Sequence, residues 1–259
     1  FEWISKCIKN KKKILVEKPA VLNFKEINII KNKLGNVFFA EGFMYIYHPQ
    51  ILKVLNLIEE GRIGKLISME SNFGIDIMTK NFFFGFSVKK KISKKNRLFN
   101  KELGGGAILD LGCYPVSFSS LIGSFNLNNK YEKINIKNIK KEIGKTGVDL
   151  NSSAELYFDS GFKSTIRASF TENLGQKSII VGSEGNIILH NTWTPGNSII
   201  EVKAKKNEKF HIEGAKNIYI YEIEALSKYI IENKNKPDFP GLNLEDTLRN
   251  TKILDEWLK

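Results

Sequence analysis

The chain has 259 residues, of which 42% are hydrophobic, and a formal net charge of +12. This length suits one large domain or two small ones, and the hydrophobic fraction excludes a disordered protein. The sequence has no apolar run that approaches a membrane span and no visible secretory signal. Its two cysteines, Cys7 and Cys113, lack the spacing of zinc or iron–sulfur ligands. We therefore expect a cytoplasmic protein without disulfide bonds, a metal site or a membrane partner.

The positive charge is carried almost entirely by lysine, because only four arginines occur, at positions 62, 97, 167 and 249. Proteins that bind nucleic acid favour arginine, whose planar fork matches phosphates and base edges. The lysines here are spread among many Asn and Ile residues, which indicates solvated lysines and a compositional bias. The exception is Lys89–Lys95, with five lysines in seven residues, which we predict to be a surface loop. We do not expect a nucleic-acid partner.

The first 43 residues alternate between helix and strand patterns. An amphipathic helix is predicted over 2–10, an apolar strand over 14–16, a second helix from the Asn23 cap to Leu34, and a second strand over 37–43. Gly35 is placed to end the second helix. This order is typical of βαβ units in a doubly wound parallel sheet.

The pattern after residue 43 is different. We predict a helix from Pro49 to about residue 61, a strand over 65–75, and two closing helices over 219–232 and 245–258. Strands with short links follow one another between residues 131 and 212, which indicates a mostly antiparallel sheet. These predicted strands are 131–142, 149–159, 162–171, 177–182, 186–190, 198–203 and 208–212. The predicted fold class is thus α/β: part of a Rossmann-like parallel sheet, followed by an α+β domain on a large, open, mostly antiparallel sheet.

A glycine-rich stretch at 102–115 is the strongest local signal for a site. Three consecutive glycines at 104–106 allow close backbone approach, and an apolar helix is predicted to follow over 107–121. Asp110 and Tyr114 are four residues apart, which would place both on one face of that helix. The local chemistry leaves two interpretations open: a functional site, or a core helix whose Asp bonds backbone and whose Tyr bonds solvent.

Residues 17–19 lie directly after the first predicted strand, and the segment after Phe43 directly follows the second. Ligands of open α/β sheets bind beyond the carboxyl ends of the strands. Both segments therefore point to one crevice.

Five segments in the same order resemble motifs of the Gfo/Idh/MocA oxidoreductases: 14–19, 41–50, 104–114, 182–185 and 221–224. The resemblance covers essentially the whole chain. It implies that residues 1–43 are the C-terminal part of a Rossmann domain that binds NAD or NADP. Residues 44–259 would form the domain that binds substrate and makes the oligomer interface. The implied substrate is a sugar, cyclitol or related polyol with a secondary alcohol.

The resemblance also implies roles for single residues. Lys18 occupies the position of the family's catalytic lysine, and Asp110 that of its substrate-orienting acid. Tyr114 stands where many members have His. A Tyr at this position is similar to the branch that includes glucose-fructose oxidoreductase, dihydrodiol dehydrogenase and certain xylose dehydrogenases, in which it is the proposed acid/base. A phenol has an unperturbed pKa of about 10, so we expect the Lys18 ammonium to favour a Tyr114 phenolate that acts as base.

The implied cofactor contacts are Glu17, Lys18, Pro19 and His48. Pro19 restricts Lys18 to extended geometry, which would fix the aim of its side chain. For His48, a residue at a predicted helix start, capping or packing is the alternative interpretation.

The sequence departs from the family in two places. The family's G-x-G-x-x-G, which seats a pyrophosphate at a helix N-terminus, is expected to lie before Phe1. The run at 104–106 is no substitute, because Leu109 stands at the spacing of the third glycine. We therefore expect a chain that lacks the first strands of the Rossmann domain. A polypeptide that truly begins at Phe1 is expected to bind cofactor weakly or not at all and to have little activity. Ile46 stands where relatives often carry Arg, which puts an anionic contact of that loop in doubt.

Three functions follow from these patterns. The first is an NAD(P)-dependent dehydrogenase or reductase, active as a homo-oligomer formed through the open sheet. The second is a catalytically inactive remnant that acts as an oligomerisation or interaction module. The third is a basic nucleic-acid binder, which the scarcity of arginine disfavours.

Overall fold

A computed structural model describes residues 1–81, 87–125 and 133–259 of the chain. The predicted fold class is confirmed, since a small parallel sheet precedes an eight-stranded, mostly antiparallel one. The phenylalanine-rich segment 82–86 and the first residues of the strand predicted from 131 lie outside the described residues.

The N-terminal unit contains two helices and a two-stranded sheet. Its elements are α1 (Glu2–Lys9), β1 (Ile14–Glu17), α2 (Phe24–Leu34) and β2 (Phe39–Gly42). Strands β1 and β2 pair in parallel and place Glu17 opposite Gly42. As predicted, the Asn23 side chain caps α2, and Gly35 follows the helix with a φ of 56°. Both strands therefore end at the same edge of the sheet.

The large sheet has the strand order β12-β11-β10-β9-β3-β8-β7-β6. Its strands are β3 (Leu66–Gly74), β6 (Ile134–Ile143), β7 (Asp149–Phe158), β8 (Lys163–Ser169), β9 (Ser178–Gly182), β10 (Gly185–Leu189), β11 (Ser198–Lys203) and β12 (Glu208–Ile212). Neighbours are antiparallel except for β3 and β8, which are parallel. A separate hairpin consists of β4 (Thr79–Asn81) and β5 (Ser87–Lys89).

Four further helices complete the fold: α3 (Pro49–Glu59), α4 (Cys113–Gly123), α5 (Tyr219–Ile231) and α6 (Leu244–Leu258). The helix predicted over 107–121 is α-helical only from Cys113, because Ile108–Gly112 forms a π-helical turn. Helical turns over Lys101–Gly123 make a run that is long and apolar enough to cross a membrane, which the sequence reading did not anticipate. Inside the fold 94% of its most apolar part is buried, as is typical of a core helix.

Helix α6 joins the two units. Its Leu248 belongs to the hydrophobic cluster of α1, α2, β1 and β2, whereas Ile253 and Trp257 belong to the core of the large sheet. The Trp257 indole also donates a hydrogen bond to Ser152 Oγ of β7 at 2.8 Å. The ends of β1 and β2 are thereby held close to the start of α4.

Candidate active site

Three residues predicted from distant parts of the sequence come together beyond the end of β1. The Lys18 ammonium donates a hydrogen bond to the main-chain oxygen of Asp110 at 2.6 Å and lies 3.9 Å from its Oδ1. The same nitrogen lies 4.7 Å from the centre of the Tyr114 ring. The side chains of Lys18 and Asp110 are only 15% and 18% exposed, respectively. The arrangement therefore offers a cation, a carboxylate and a phenol within a few ångströms of each other.

Lys18 is positioned by the end of β1 and by a buried carboxylate behind it. The peptide bond between Lys18 and Pro19 is cis. Glu41, in β2, accepts a hydrogen bond from the Ala20 N–H at 2.9 Å and another from the Thr247 hydroxyl at 2.8 Å. Burial raises the pKa of Glu41, and its two hydrogen bonds oppose that effect. Glu41 thus ties the segment after Lys18 to helix α6.

Asp110 lies within the π-helical turn, a kind of distortion that is frequent at functional sites. Its Oδ1 accepts a hydrogen bond from Nη2 of Arg97 at 3.0 Å. Two cations, Lys18 and Arg97, therefore flank this one carboxylate. Arg97 was not predicted as a site residue, and its spacing from Asp110 gave no signal for the contact.

The glycines before Asp110 serve tight packing between chain segments. A Cβ on Gly105 would lie 2.6 Å from the main-chain oxygen of Arg97 and 2.7 Å from that of Leu98. Gly106 has a φ of 114°, and a Cβ there would lie 2.3 Å from a carboxylate oxygen of Asp149. That carboxylate accepts the N–H of Ile108 at 2.7 Å. The glycine run thus joins the Arg97 segment, the π-helical turn and the large sheet.

Tyr114 is buried in an aromatic cluster, and its hydroxyl donates to the Met44 sulfur at 3.7 Å. Burial, the largest effect, raises the pKa of the phenol. The expected Lys18-induced phenolate is therefore wrong for this structure, in which the ammonium lies over the ring face. A protonated Tyr114 is suited to donating a proton. The rings around it belong to Phe43, Tyr45, Phe73 and Trp193, with centroids 5.3 to 5.8 Å away.

Two further carboxylates act at the ends of β1 and β2. Glu17 is exposed, and its charge raises the pKa of both Tyr114 and Glu222. Glu222 of α5 is 4% exposed, and its Oε1 has no hydrogen-bond partner among the described residues. Burial first, and Glu17 second, raise the pKa of Glu222 to about 7. The sequence marked residues 221–224 as a motif but did not indicate that this carboxyl is buried.

The structure does not bring the His48 side chain into contact with Lys18, Asp110 or Tyr114 among the contacts of the described residues. Its side chain is 0% exposed, accepts the Gln50 N–H at 3.2 Å and lies edge-on to the Tyr221 ring. Burial lowers the pKa of the imidazole. In this structure the residue caps and packs helix α3, which was the alternative interpretation.

Cys113 is buried beside the site. Burial, the largest effect, raises the pKa of its thiol to about 12. A neutral, enclosed thiol is a packing residue and a poor nucleophile.

Whether a nicotinamide dinucleotide fits this edge can be judged from the donors and acceptors present. Lys18 supplies an ammonium donor and Glu17 an exposed carboxylate acceptor at the carboxyl end of β1, where ligands of open α/β sheets bind. A nicotinamide ribose carries hydroxyls that such a donor and such an acceptor would bond. His48 offers no surface for such a contact.

Comparisons with known proteins agree with this geometry. The sequence profile of the GFO/IDH/MocA C-terminal domain matches residues 51–188, more than half of the chain. A trans-1,2-dihydrobenzene-1,2-diol dehydrogenase from Xenopus tropicalis is 28% identical over 261 residues, which span 98% of this chain and 72% of the relative. A dTDP-3,4-didehydro-2,6-dideoxy-alpha-D-glucose 3-reductase from Saccharopolyspora spinosa is 25% identical and covers 75% of this chain and 53% of its own length.

Solved structures show the same fold. KijD10, a 3-ketoreductase from Actinomadura kijaniata crystallised with NADP and TDP-benzene, superposes with a TM-score of 0.79 at 20% identity, over 98% of this chain and 72% of its own. An aldose-aldose oxidoreductase from Caulobacter crescentus, complexed with glycerol, gives a TM-score of 0.79 at 15% identity, over 99% of this chain and 72% of its own. With the profile match over most of the large-sheet unit, these findings establish that the chain belongs to the Gfo/Idh/MocA family of oxidoreductases.

Proposed function

We propose that the chain transfers hydride, with NAD or NADP as cofactor, between nicotinamide and a secondary alcohol or carbonyl of a sugar or related polyol. The observation that carries the proposal is the position of Lys18 Nζ, which lies 2.6 Å from the main-chain oxygen of Asp110 and 4.7 Å from the centre of the Tyr114 ring. Relatives that act on sugar-like or diol substrates support the substrate class.

When bound, the nicotinamide supplies or accepts the hydride, and the chain manages the proton and the substrate. In the reductive direction, Tyr114 donates its phenolic proton to the oxygen that forms, since burial keeps the phenol protonated. Lys18 stabilises the negative charge that develops on the same oxygen. Asp110 accepts a hydrogen bond from a second substrate hydroxyl and so orients the carbon that reacts.

Titration of the chain with NADH and NADPH, followed by nicotinamide fluorescence, tests the cofactor. Saturable binding supports the proposal, and Glu17→Ala is expected to weaken it. A folded chain that binds neither nucleotide would favour the interaction-module alternative.

Turnover of Tyr114→Phe tests the proton donor. We expect kcat/KM for NAD(P)-dependent sugar turnover to fall by about 10²–10⁴-fold, the range of general acid–base catalysis, with nucleotide affinity unchanged. Tyr157→Phe is the matched control, because Tyr157 lies on β7 and bonds Glu155. Unchanged turnover in Tyr114→Phe would remove this phenol from the mechanism.

A cytoplasmic location and a homo-oligomer formed through the open sheet stay predictions from the sequence.

A further inference from the structure

Arg97 places a second cation against the carboxylate that orients substrate. Its Nη2 donates to Asp110 Oδ1 at 3.0 Å, while the side chain as a whole is 58% exposed. Among the described residues this is the one hydrogen bond of its side chain. A guanidinium carries further N–H donors in a fixed planar fork, so the exposed Arg97 has donors left for a ligand beside Asp110.

The backbone that carries Arg97 is fixed. The N–H of Gly106 donates to Leu98 O at 2.9 Å, and that of Gly105 donates to Asn100 O at 2.9 Å. Phe99 is buried, with its ring centroid 6.1 Å from that of Phe170. A ligand that binds Arg97 therefore meets a donor whose position is already set, which lowers the entropic cost of binding.

The chain around Arg97 is strongly basic. Residues 89–102 contain six lysines and Arg97 but only one carboxylate, that of Glu102. All of these lysines are exposed. A strongly positive segment next to a site raises the local concentration of anions and speeds their arrival.

We infer that the substrate of this site is an anionic sugar derivative, whose carboxylate or phosphate group is bound by Arg97 beside Asp110. The inference rests on the proposed function and names its substrate class. Asp110 alone would repel an anion, but it lies against two cations, Lys18 and Arg97, so this group of three carries a net positive charge. Arginine binds carboxylate and phosphate groups through paired, charge-assisted hydrogen bonds. Substrate held in this way presents its carbinol to Lys18 and Tyr114.

The test is a calorimetric titration of the chain with D-glucose, D-glucuronate and D-glucose 6-phosphate, which share a ring and differ in charge. We expect at least one of the two anionic sugars to bind about tenfold or more tightly than glucose, the factor given by one added charge-assisted hydrogen bond. Which of them binds more tightly distinguishes a carboxylate from a phosphate. Arg97→Gln should abolish the preference, and Arg97→Lys should keep part of it.

Arg62→Gln is the matched control, because it removes the same charge at a residue ion-paired with Glu208. Equal binding of charged and neutral sugars, no binding of either anionic sugar, or an equal loss in Arg62→Gln would overturn the inference. A preference that survives Arg97→Gln and vanishes with added salt would assign the anions to the lysines and also overturn it.

These titrations, together with a turnover assay that follows NAD(P)H, separate the inference from the proposed function. Hydride transfer to neutral sugars without a preference for anions would contradict the inference alone. Arg97-dependent binding of an anionic sugar without any hydride transfer would contradict the proposed function alone.

Discussion

The small parallel sheet and the large eight-stranded sheet are enclosed to different degrees. Among the described residues, β1 pairs with β2 only, and Leu15 at its centre is 51% exposed. The large sheet is covered on one face by helices, and every residue of its central helix α4 is buried. Lys18 comes from the small sheet, whereas Asp110 and Tyr114 come from the enclosed unit. The site therefore depends on the few bonds that cross between a lightly covered element and a rigid one.

The largest effect on stability is expected from Glu41→Ala. This substitution leaves the buried Ala20 N–H and Thr247 hydroxyl without their acceptor, at a cost of about 1–3 kcal/mol for each unsatisfied donor. We expect the free energy of unfolding to fall by about 2–4 kcal/mol in urea denaturation. The exposed Glu59 provides the control Glu59→Ala. If both variants were equally stable, the bonds of Glu41 would not be what holds the segment after Lys18 to helix α6.

Gly105→Ala tests the close packing of the unit that carries Asp110 and Tyr114. The added Cβ would lie 2.6 Å from Arg97 O, so the segment that carries Arg97 has to shift. Such overpacking costs about 1–3 kcal/mol, which thermal unfolding would report. Gly196→Ala is the control, since no atom lies within 4 Å of a Cβ at that position. Equal melting temperatures would show that the 97–100 segment yields without cost.

The sequence predicted the elements better than it predicted the chemistry of the site. Local signals placed α2 between Asn23 and Gly35, and β11 and β12 have the predicted bounds. Strand ends, which are local patterns, also placed residues 17–19 and the segment after Phe43 at one crevice, whereas the link between Lys18 and Asp110 came from the family resemblance alone. These signals concern backbone geometry, which short stretches of sequence largely determine.

What the sequence could not supply depends on burial. The aromatic neighbours of Tyr114, such as Trp193, come from distant parts of the chain, and they exclude the water that a phenolate needs. The π-helical turn at Ile108–Gly112 and the contact of Arg97 with Asp110 likewise depend on how separate segments pack. Tertiary contacts of this kind leave no periodic trace in the sequence.

Glu222→Gln tests how the buried carboxyl of α5 makes stability depend on pH. Burial and Glu17 raise the folded-state pKa of Glu222 to about 7, whereas an unfolded Glu titrates near about 4.3. The folded state therefore binds more protons between these values, and stability falls as pH rises through that window, by up to about 1.4 kcal/mol per pH unit. Urea midpoints of the wild type should decline between about pH 5 and 7, and those of Glu222→Gln should decline less. Parallel curves would place the pH dependence elsewhere.

The smallest effects on stability are expected from lysine at one exposed apolar residue in each sheet. Leu15 of β1 and Ile199 of β11 are 51% and 38% exposed, so Leu15→Lys and Ile199→Lys should each change the free energy of unfolding by less than about 0.5 kcal/mol.

The effects of these two substitutions on assembly should differ. If the protein forms the predicted homo-oligomer through the open face of the large sheet, Ile199→Lys lowers the assembled fraction in sedimentation equilibrium, and Leu15→Lys does not. The reverse result would move the interface to β1, whose second edge pairs with no strand in the part of the chain that the structure describes and offers N–H and C=O groups to a partner strand. The less enclosed sheet would then be the one completed by association.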